Sequence, residues 1–468
     1  MRHSFIKKIF AVFLMMACFT FVGFGCKGTT AEQAAATKAV SLEYWTVYDD
    51  VEQINAQIAK YTASRPYLKV TVRQLRSDEL YDRLVEALAE DKGPDIISVH
   101  TRDLARFQSK LATMPPSYTD TTVTTKKNVI NQIETIINTR SIALPTVFQI
   151  GNEYLQTVKK DVIVDNKIYG LPLSLDTMAI YFNKDLLDRA QVAQPPVTWT
   201  EFQEAAKKIT KYNTETGKIT QAGAALGSAN NIEGVDDILY ILFKQNSVNL
   251  ISSDNHATFN AAIRDTSGAN ISPAISVMDF YTDFANATRD TYSWNESMEN
   301  SLDAFVQGKL GFFFGYSYDN AQIKSRAPQL NYGILPMIQL DPDNQVNAAN
   351  YWVQSVVAKS NNQNTAWGLI NFLTHTSAVK EYLAATKRPT AMRAYVAEQK
   401  TDVELEPFVS QLLVAENWYR GNDYAGATQA LKDMISEWLQ VPPKFEGKVT
   451  QWDQEVLNRA ASKLNQTL

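Results

Sequence analysis

The 468 residues hold 45% apolar, 11% aromatic and 20% charged side chains, an ordinary globular balance with length for two or three domains. With 45 basic against 50 acidic residues and a formal charge of −5, the chain lacks the basic excess that binds phosphate backbones, which excludes nucleic acid as a partner.

The opening segment is a leader. Arg2, Lys7 and Lys8 form a basic stretch before an apolar run from Ile9 to Phe24, too short for the roughly 20 residues of a membrane-spanning helix. Small residues Gly23 and Gly25 lead into Cys26. This arrangement resembles a lipoprotein processing site, with Gly23 where a Leu-like residue is usual. Residues 1–25 are therefore expected to be removed and Cys26 to be acylated. Two acyl chains exceed the marginal, reversible binding of one, at about 0.8 kcal/mol per buried CH₂. Cleavage removes Cys18, leaving no pair for an intramolecular disulfide. It also leaves 42 basic against 50 acidic residues, a formal charge of −8.

Residues 26–40 are Thr/Ala/Gln-rich without apolar periodicity and read as a tether. Ser41 to Thr46 reads as a strand, followed by an Asp49-Asp50 turn and a helix carrying Ile54 and Ile58 that ends at Arg65-Pro66. Leu68 to Arg73 alternates like a second strand. Leu80, Leu84, Val85 and Leu88 recur at helical spacing before a third strand, Ile96 to Val99. This βαβαβ order predicts a parallel sheet. Residues 110–165 read as mainly helical. A new block begins at Tyr169-Gly170-Leu171-Pro172, with a strand from Met178 to Phe182. Thr198-Trp199-Thr200-Glu201 has capping-box spacing and opens a helix with Phe202, Ala205, Ala206 and Ile209 on one face. Leu310 to Phe314 and Tyr332 to Leu335 are buried-strand candidates, and the remainder from Thr365 is mostly helical.

Three segments are specific in their order: Tyr169-Gly170-Leu171-Pro172 through Asp176, Tyr181-Phe182-Asn183-Lys184-Asp185-Leu186, and Pro195-Pro196-Val197-Thr198-Trp199-Thr200-Glu201-Phe202. Gly93-Pro94-Asp95-Ile96, Ala304 to Lys309 and Tyr332 to Pro336 support them. On these motifs the chain resembles the family 1 extracellular solute-binding proteins of ABC importers, which are maltose-binding-protein-like. The resemblance runs over nearly the whole mature chain. It implies an α/β architecture of the type II periplasmic-binding-protein kind, with two lobes around a ligand cleft joined by three hinge crossings near residues 174–180, 350–356 and 388–396. The lobes would comprise 41–176 with 354–390, and 177–353 with 391–468. It further implies a monomer on the outer face of the cytoplasmic membrane that captures a carbohydrate and passes it to permease subunits. Neither cofactor nor metal is expected.

A sugar presents apolar C–H faces and many hydroxyls, so its site needs aromatic platforms and side chains that donate and accept hydrogen bonds. Trp294, Trp352 and Trp418 have polar neighbours and are expected in the cleft, whereas Trp199, Trp367 and Trp438 lie at apolar helical spacing and are expected in the core. Ligands of α/β folds meet the carboxyl ends of strands and adjoining helix N-termini, which selects Tyr48, Asp49, His100, Tyr316 and Ser317. Asp176, at the first crossing, is an acceptor for hydroxyls or a turn cap. Arg388, before Pro389, bridges lobes, binds a hydroxyl or forms a surface ion pair.

Enzymatic motifs are absent: no G-x-S-x-G, P-loop or G-x-G-x-x-G occurs, and the four histidines have no metal-ligand spacing. The adjacent acids Asp49-Asp50 and Asp236-Asp237 read as caps or solvated surface rather than glycosidase carboxylates. A surface glycosidase, a cell-wall-binding lipoprotein, and the same fold binding a peptide or polyamine remain the alternatives. Acylation of Cys26 is testable directly: cells given radiolabelled palmitate should label the wild-type chain and not Cys26→Ala, and equal labelling would refute the anchor.

Overall fold

The structure is a computed structural model that describes residues 31–127, 133–264, 270–445 and 447–468. The leader and Cys26 lie outside the described residues. Of the expected tether, Ala31–Ala36 is helical.

Two cores of buried side chains divide the chain. The first is built on β1 (Val40–Thr46), α1 (Val51–Thr62), β2 (Leu68–Gln74), α2 (Leu80–Ala89) and β3 (Ile96–His100). β1 lies between β2 and β3 and runs parallel to both, as the βαβαβ pattern predicts. Asp50 caps α1, its side chain accepting from the Gln53 amide.

The expectation of helix over 110–165 fails in its first half. Ser117–Lys127 (β4) and Ile133–Ala143 (β5) pair as an antiparallel ribbon from Ser117 opposite Ala143 to Lys127 opposite Ile133. Both strands are rich in Thr, Ile and Val, whose branched β-carbons favour extended backbone over helix. The ribbon is fixed at its base, where the Arg65 guanidinium donates to both carboxylate oxygens of the buried Asp120 at 2.8 and 2.9 Å.

The second lobe holds β6 (Ala179–Asn183), α3 (Trp199–Ile209), β7 (Ile219–Ala224), α4 (Val235–Gln245), β8 (Leu310–Gly315), α5 (Ser317–Arg326) and β9 (Tyr332–Pro336). β6 is antiparallel to β8 and β9, while β7 is parallel to β8. The capping box at the start of α3 is present in full, with Thr198 and Glu201 exchanging side-chain and backbone bonds. Phe202, Ala205, Ala206 and Ile209 are buried beneath it.

The chain then returns through β10 (Asn347–Asn350) to β11 (Trp352–Val357), which pairs antiparallel with β3 and extends the first sheet. α6 (Gln363–His375) and α7 (Ser377–Thr386) cover that sheet, and α8 (Tyr424–Trp438) and α9 (Val449–Asn465) complete the second lobe.

Three crossings join the lobes, and they hydrogen-bond to one another. The short strand Asp176–Thr177 pairs antiparallel with β10, which pairs on its other side with Ala415–Glu416 in parallel. The first crossing lies where expected and the second falls just before the expected 350–356. The third lies at 415–416 rather than 388–396. Ala391, Met392, Val396, Leu405 and Leu412 are buried in the first core, which moves the expected boundary at residue 390 toward the C-terminus. Residues 389–392 mimic a crossing because they run beside the first one, with the Leu175 amide bonded to the Pro389 carbonyl and Leu155 to that of Ala391.

β7 and α3 touch at Gly223, where an added Cβ would stand 2.1 Å from the Ala206 carbonyl oxygen. Gly223→Ala therefore forces helix and strand apart. It should destabilise the fold by about 1–3 kcal/mol or more in urea unfolding, and an unchanged midpoint would contradict this packing.

A cleft between the lobes

Between the lobes lies a cleft of about 610 Å³, inside the range of small-ligand sites. Its first-lobe wall includes Tyr48, His100, Trp352 and Arg388, and its second-lobe wall includes Tyr318 and Tyr424. The rings form a continuous belt. Tyr48 contacts Trp352 at 5.4 Å between centroids and stacks on Tyr318 across the cleft at 6.2 Å. His100 meets Trp352 at 5.1 Å and stacks on Tyr424 of the opposite lobe at 5.7 Å. Tyr48 is 51% exposed, leaving a free ring surface at the cleft.

The polar groups are placed by the strands. Asp49 follows β1 and is buried. Its Oδ2 accepts from Thr46 Oγ1 at 2.6 Å and Ser98 Oγ at 2.9 Å, with Gln354 Nε2 at 3.4 Å. Its Oδ1 accepts no hydrogen bond from the described residues, so one oxygen is anchored and the other is available. Arg388 stands beside it, donating to the Tyr48 carbonyl at 2.6 Å. Asp49 and Asp176 both favour its charged form against the cost of its burial.

Asp176 also lines the cleft, but both its oxygens are engaged. Oδ2 accepts from the Ser317 amide and hydroxyl at 2.9 and 2.5 Å, and Oδ1 from the Thr177 amide at 2.9 Å. This matches the turn-cap alternative, with Ser317 at the N-terminus of α5 as the partner. Burial pushes the Asp176 carboxyl up to about 6, against the pull of these bonds.

His100 ends β3, and its Nε2 lies 3.1 Å from Asn350 Oδ1. The carbonyl oxygen can only accept, so Nε2 carries the hydrogen and Nδ1 is left as an acceptor. Burial, and then the neighbouring Arg102 cation, hold the imidazole down at about 3.

Three of the expected aromatics lie outside the lining of the cleft. Trp294 is wholly buried in the second core, its Nε1 donating to Asn231 Oδ1 at 3.0 Å, so the polar flanks of Tyr-Ser-Trp-Asn serve an internal bond. Trp418 is buried behind Tyr424 and donates to Asp237 Oδ1 at 3.0 Å. Tyr316 likewise turns from the cleft, and its hydroxyl donates to Asp237. Asp236 and Asp237 are therefore buried and paired with Arg102 of the first lobe, not solvated surface. Trp367 and Trp438 are in the cores as expected, and Trp199 packs against Phe202 and Phe280.

Tyr318, Tyr424 and Asn350 line the cleft without having been selected from the sequence. Tyr318 directly follows the selected Ser317 at the start of α5, and Asn350 lies two residues before the selected Trp352, and that proximity was the signal available. Tyr424 opens α8, whose approach to the cleft depends on the third crossing.

The chain belongs to the bacterial extracellular solute-binding protein family, whose model matches residues 56–407. Relatives named only as binding proteins, from Brucella abortus and Brucella suis, are 24% identical over 230 residues, 48% of this chain. The chain spans about half the length of these curated relatives, 51%. Among solved structures, the fold is similar to an ABC transporter solute-binding protein of Thermotoga lettingae bound with α-D-tagatose, at TM-score 0.67 and 19% identity over 92% of this chain and 100% of that one. It is similar also to a cyclic α-maltosyl-1,6-maltose-binding protein of Arthrobacter globiformis, at 0.68 and 17% over 92% and 99%. A Listeria monocytogenes ABC substrate-binding protein in complex with cycloalternan gives 0.66 and 14% over 92% and 99%.

The depressed His100 value fixes a pH dependence. A group held at about 3 in the fold and near 6.5 when unfolded stabilises the fold fully above pH 6.5. That contribution falls by about 1.4 kcal/mol per pH unit as the pH drops toward 3. Between pH 7 and 4.5, wild type should lose about 1–3 kcal/mol more stability than His100→Gln. Parallel acid limbs in thermal unfolding would count against a buried neutral imidazole.

Proposed function

We propose that this protein captures a mono- or oligosaccharide in the interlobe cleft, leaves it chemically unchanged, and delivers it to the permease subunits of an ABC importer. The observation that carries this reading is the belt of Tyr48, Trp352, Tyr318 and Tyr424 on facing walls, beside the open oxygen of Asp49 and the guanidinium of Arg388. Flat rings cover the C–H faces of a pyranose, and a carboxylate with a guanidinium matches vicinal hydroxyls, which donate as well as accept. Hydrogen bonds to charged groups contribute about 1.5–3 kcal/mol each. A micromolar complex needs about −8.2 kcal/mol, which a few such bonds and one or two stacked rings supply after ordering costs. The tagatose, cyclic maltosyl-maltose and cycloalternan ligands of the three similar proteins support the same class.

In this reading the chain works as a monomer held by acylated Cys26 on the outer face of the cytoplasmic membrane, and His100 and Asn350 orient the inner end of the cleft. Asp176 serves the ligand by fixing α5 rather than by direct contact. A second reading, a polyamine or other cationic solute, is favoured by one feature. A side cavity of about 170 Å³ beside the cleft is lined by Glu233, Asp236, Asp237 and Asp319.

A thermal-shift panel of mono- and oligosaccharides, with spermidine as the cationic arm, separates the readings. The sugar that raises the melting temperature should then bind Trp352→Ala and Tyr48→Ala at least tenfold more weakly by calorimetry, about 1.4 kcal/mol, and be recovered intact after incubation. Stabilisation by spermidine alone, unchanged affinity in both variants, or recovery of cleaved sugar would each overturn the proposal.

A further inference from the structure

A cleft between two lobes shuts stably only if the closed arrangement offers contacts that water does not replace when it opens. Arg102 forms such contacts. It follows β3 in the first lobe and is 1% exposed. Its guanidinium reaches the first turn of α4 in the second lobe, donating to Asp237 Oδ1 at 2.5 Å and Asp236 Oδ2 at 3.3 Å. It also donates to the Tyr424 hydroxyl at 2.7 Å and to the Ala349 carbonyl of the crossing strand at 3.0 Å.

The acidic pair is held ready by its own lobe. Tyr316 and Trp418 donate to Asp237, and the Tyr424 hydroxyl donates to Asp236 at 2.7 Å. Two adjacent carboxylates so fixed repel each other, and burial pushes the Asp237 carboxyl upward while Arg102 pulls it down. Among the described residues, the counter-charge that pairs with them comes from Arg102 of the opposite lobe. Arg102 and the pair stand outside the lining of the 610 Å³ cleft, the two acids lining the side cavity instead, so a sugar seated in the cleft does not touch them.

The contact is also incompletely satisfied. Arg102 Nε is buried without a hydrogen-bond partner among the described residues, which costs free energy that an open, hydrated arginine does not incur. Strong attraction offset by desolvation and one orphan donor makes a reversible catch rather than a permanent lock.

We infer that Arg102, Asp236 and Asp237 form a cross-lobe catch that sets the ratio of closed to open protein in the absence of ligand, and thereby scales affinity without touching the ligand. A receptor whose competent state is partly populated binds in proportion to that population. The inference rests on the binding-protein reading of the cleft, but its test needs no ligand.

Donor and acceptor dyes on Lys92→Cys in the first lobe and Lys218→Cys in the second, in a chain with Cys18 and Cys26 replaced by serine, report lobe separation by single-molecule energy transfer. Ligand-free wild type should show a substantial high-transfer population. Arg102→Gln, and Asp236→Asn combined with Asp237→Asn, should each lower the closed-to-open ratio at least tenfold while keeping a cooperative melt, and Arg102→Lys should fall between. Unchanged transfer distributions in a folded Arg102→Gln protein would overturn the inference. If Arg102→Gln does not fold, the asparagine double variant decides by the same readout. Failure of both to fold would place the cluster in the folding core and overturn the catch. A sugar screen that finds nothing leaves this result intact, so the two ideas fail separately.

Discussion

The ribbon formed by Asp176–Thr177, Asn347–Asn350 and Ala415–Glu416 is the constraint on which the site depends. Each time the chain leaves one lobe for the other, its backbone amides and carbonyls lose the sheet that would have paired them, and unpaired buried groups are costly. The three passages satisfy one another instead. Their register also places the cleft. Asp176 lies opposite Asn350, Asn350 meets His100, and Trp352, two residues further, lies opposite His100 in the first sheet. A shift of one residue in the middle strand would turn Asn350 to the other face and part it from both Asp176 and His100.

Around the ribbon, polar burial is organised in small closed sets rather than as isolated charges. Asp49 is tied to Thr46 and Ser98, Asp161 accepts from Tyr351 and Arg420, and Asp237 gathers Arg102, Trp418 and Tyr316. Such sets exchange solvation for directed hydrogen bonds and hold side-chain positions that apolar packing alone would leave loose. The aromatic belt provides the complementary property, a broad apolar surface that tolerates ligand faces of different shape. Fixed acceptors beside tolerant platforms suit a receptor whose selectivity resides in a few atoms.

Much of the fold was legible because it is written in local periodicity. The βαβαβ start, the Thr198–Glu201 capping box, β8 and β9 all follow from spacing within a dozen residues. The β4–β5 ribbon was missed because its exposed, Thr-rich strands lack the one-sided apolar alternation that marks a half-buried strand. In the site, the strand-end positions Tyr48, Asp49 and His100 line the cleft, as do Trp352, chosen for its polar neighbours, and Asp176 and Arg388, chosen at the crossings, whereas the strand-end positions Tyr316 and Ser317 do not. Trp294 and Trp418 do not, because flanking polar residues mark a buried indole N–H with an internal acceptor as readily as a wet surface. The role of Arg102 was invisible in sequence, since its partners lie more than 130 positions away.

The pairing of β3 with β11 has a consequence for how the molecule is made. His100 and Trp352 are neighbours in the first sheet, yet the whole second-lobe sheet is synthesised between them. Until the chain has grown past Val357, β3 lacks the strand that flanks it, and closing so long a loop is slow. The first sheet therefore reaches its full width no earlier than the strands of the second lobe have been made, although its first three strands stand at the start of the chain.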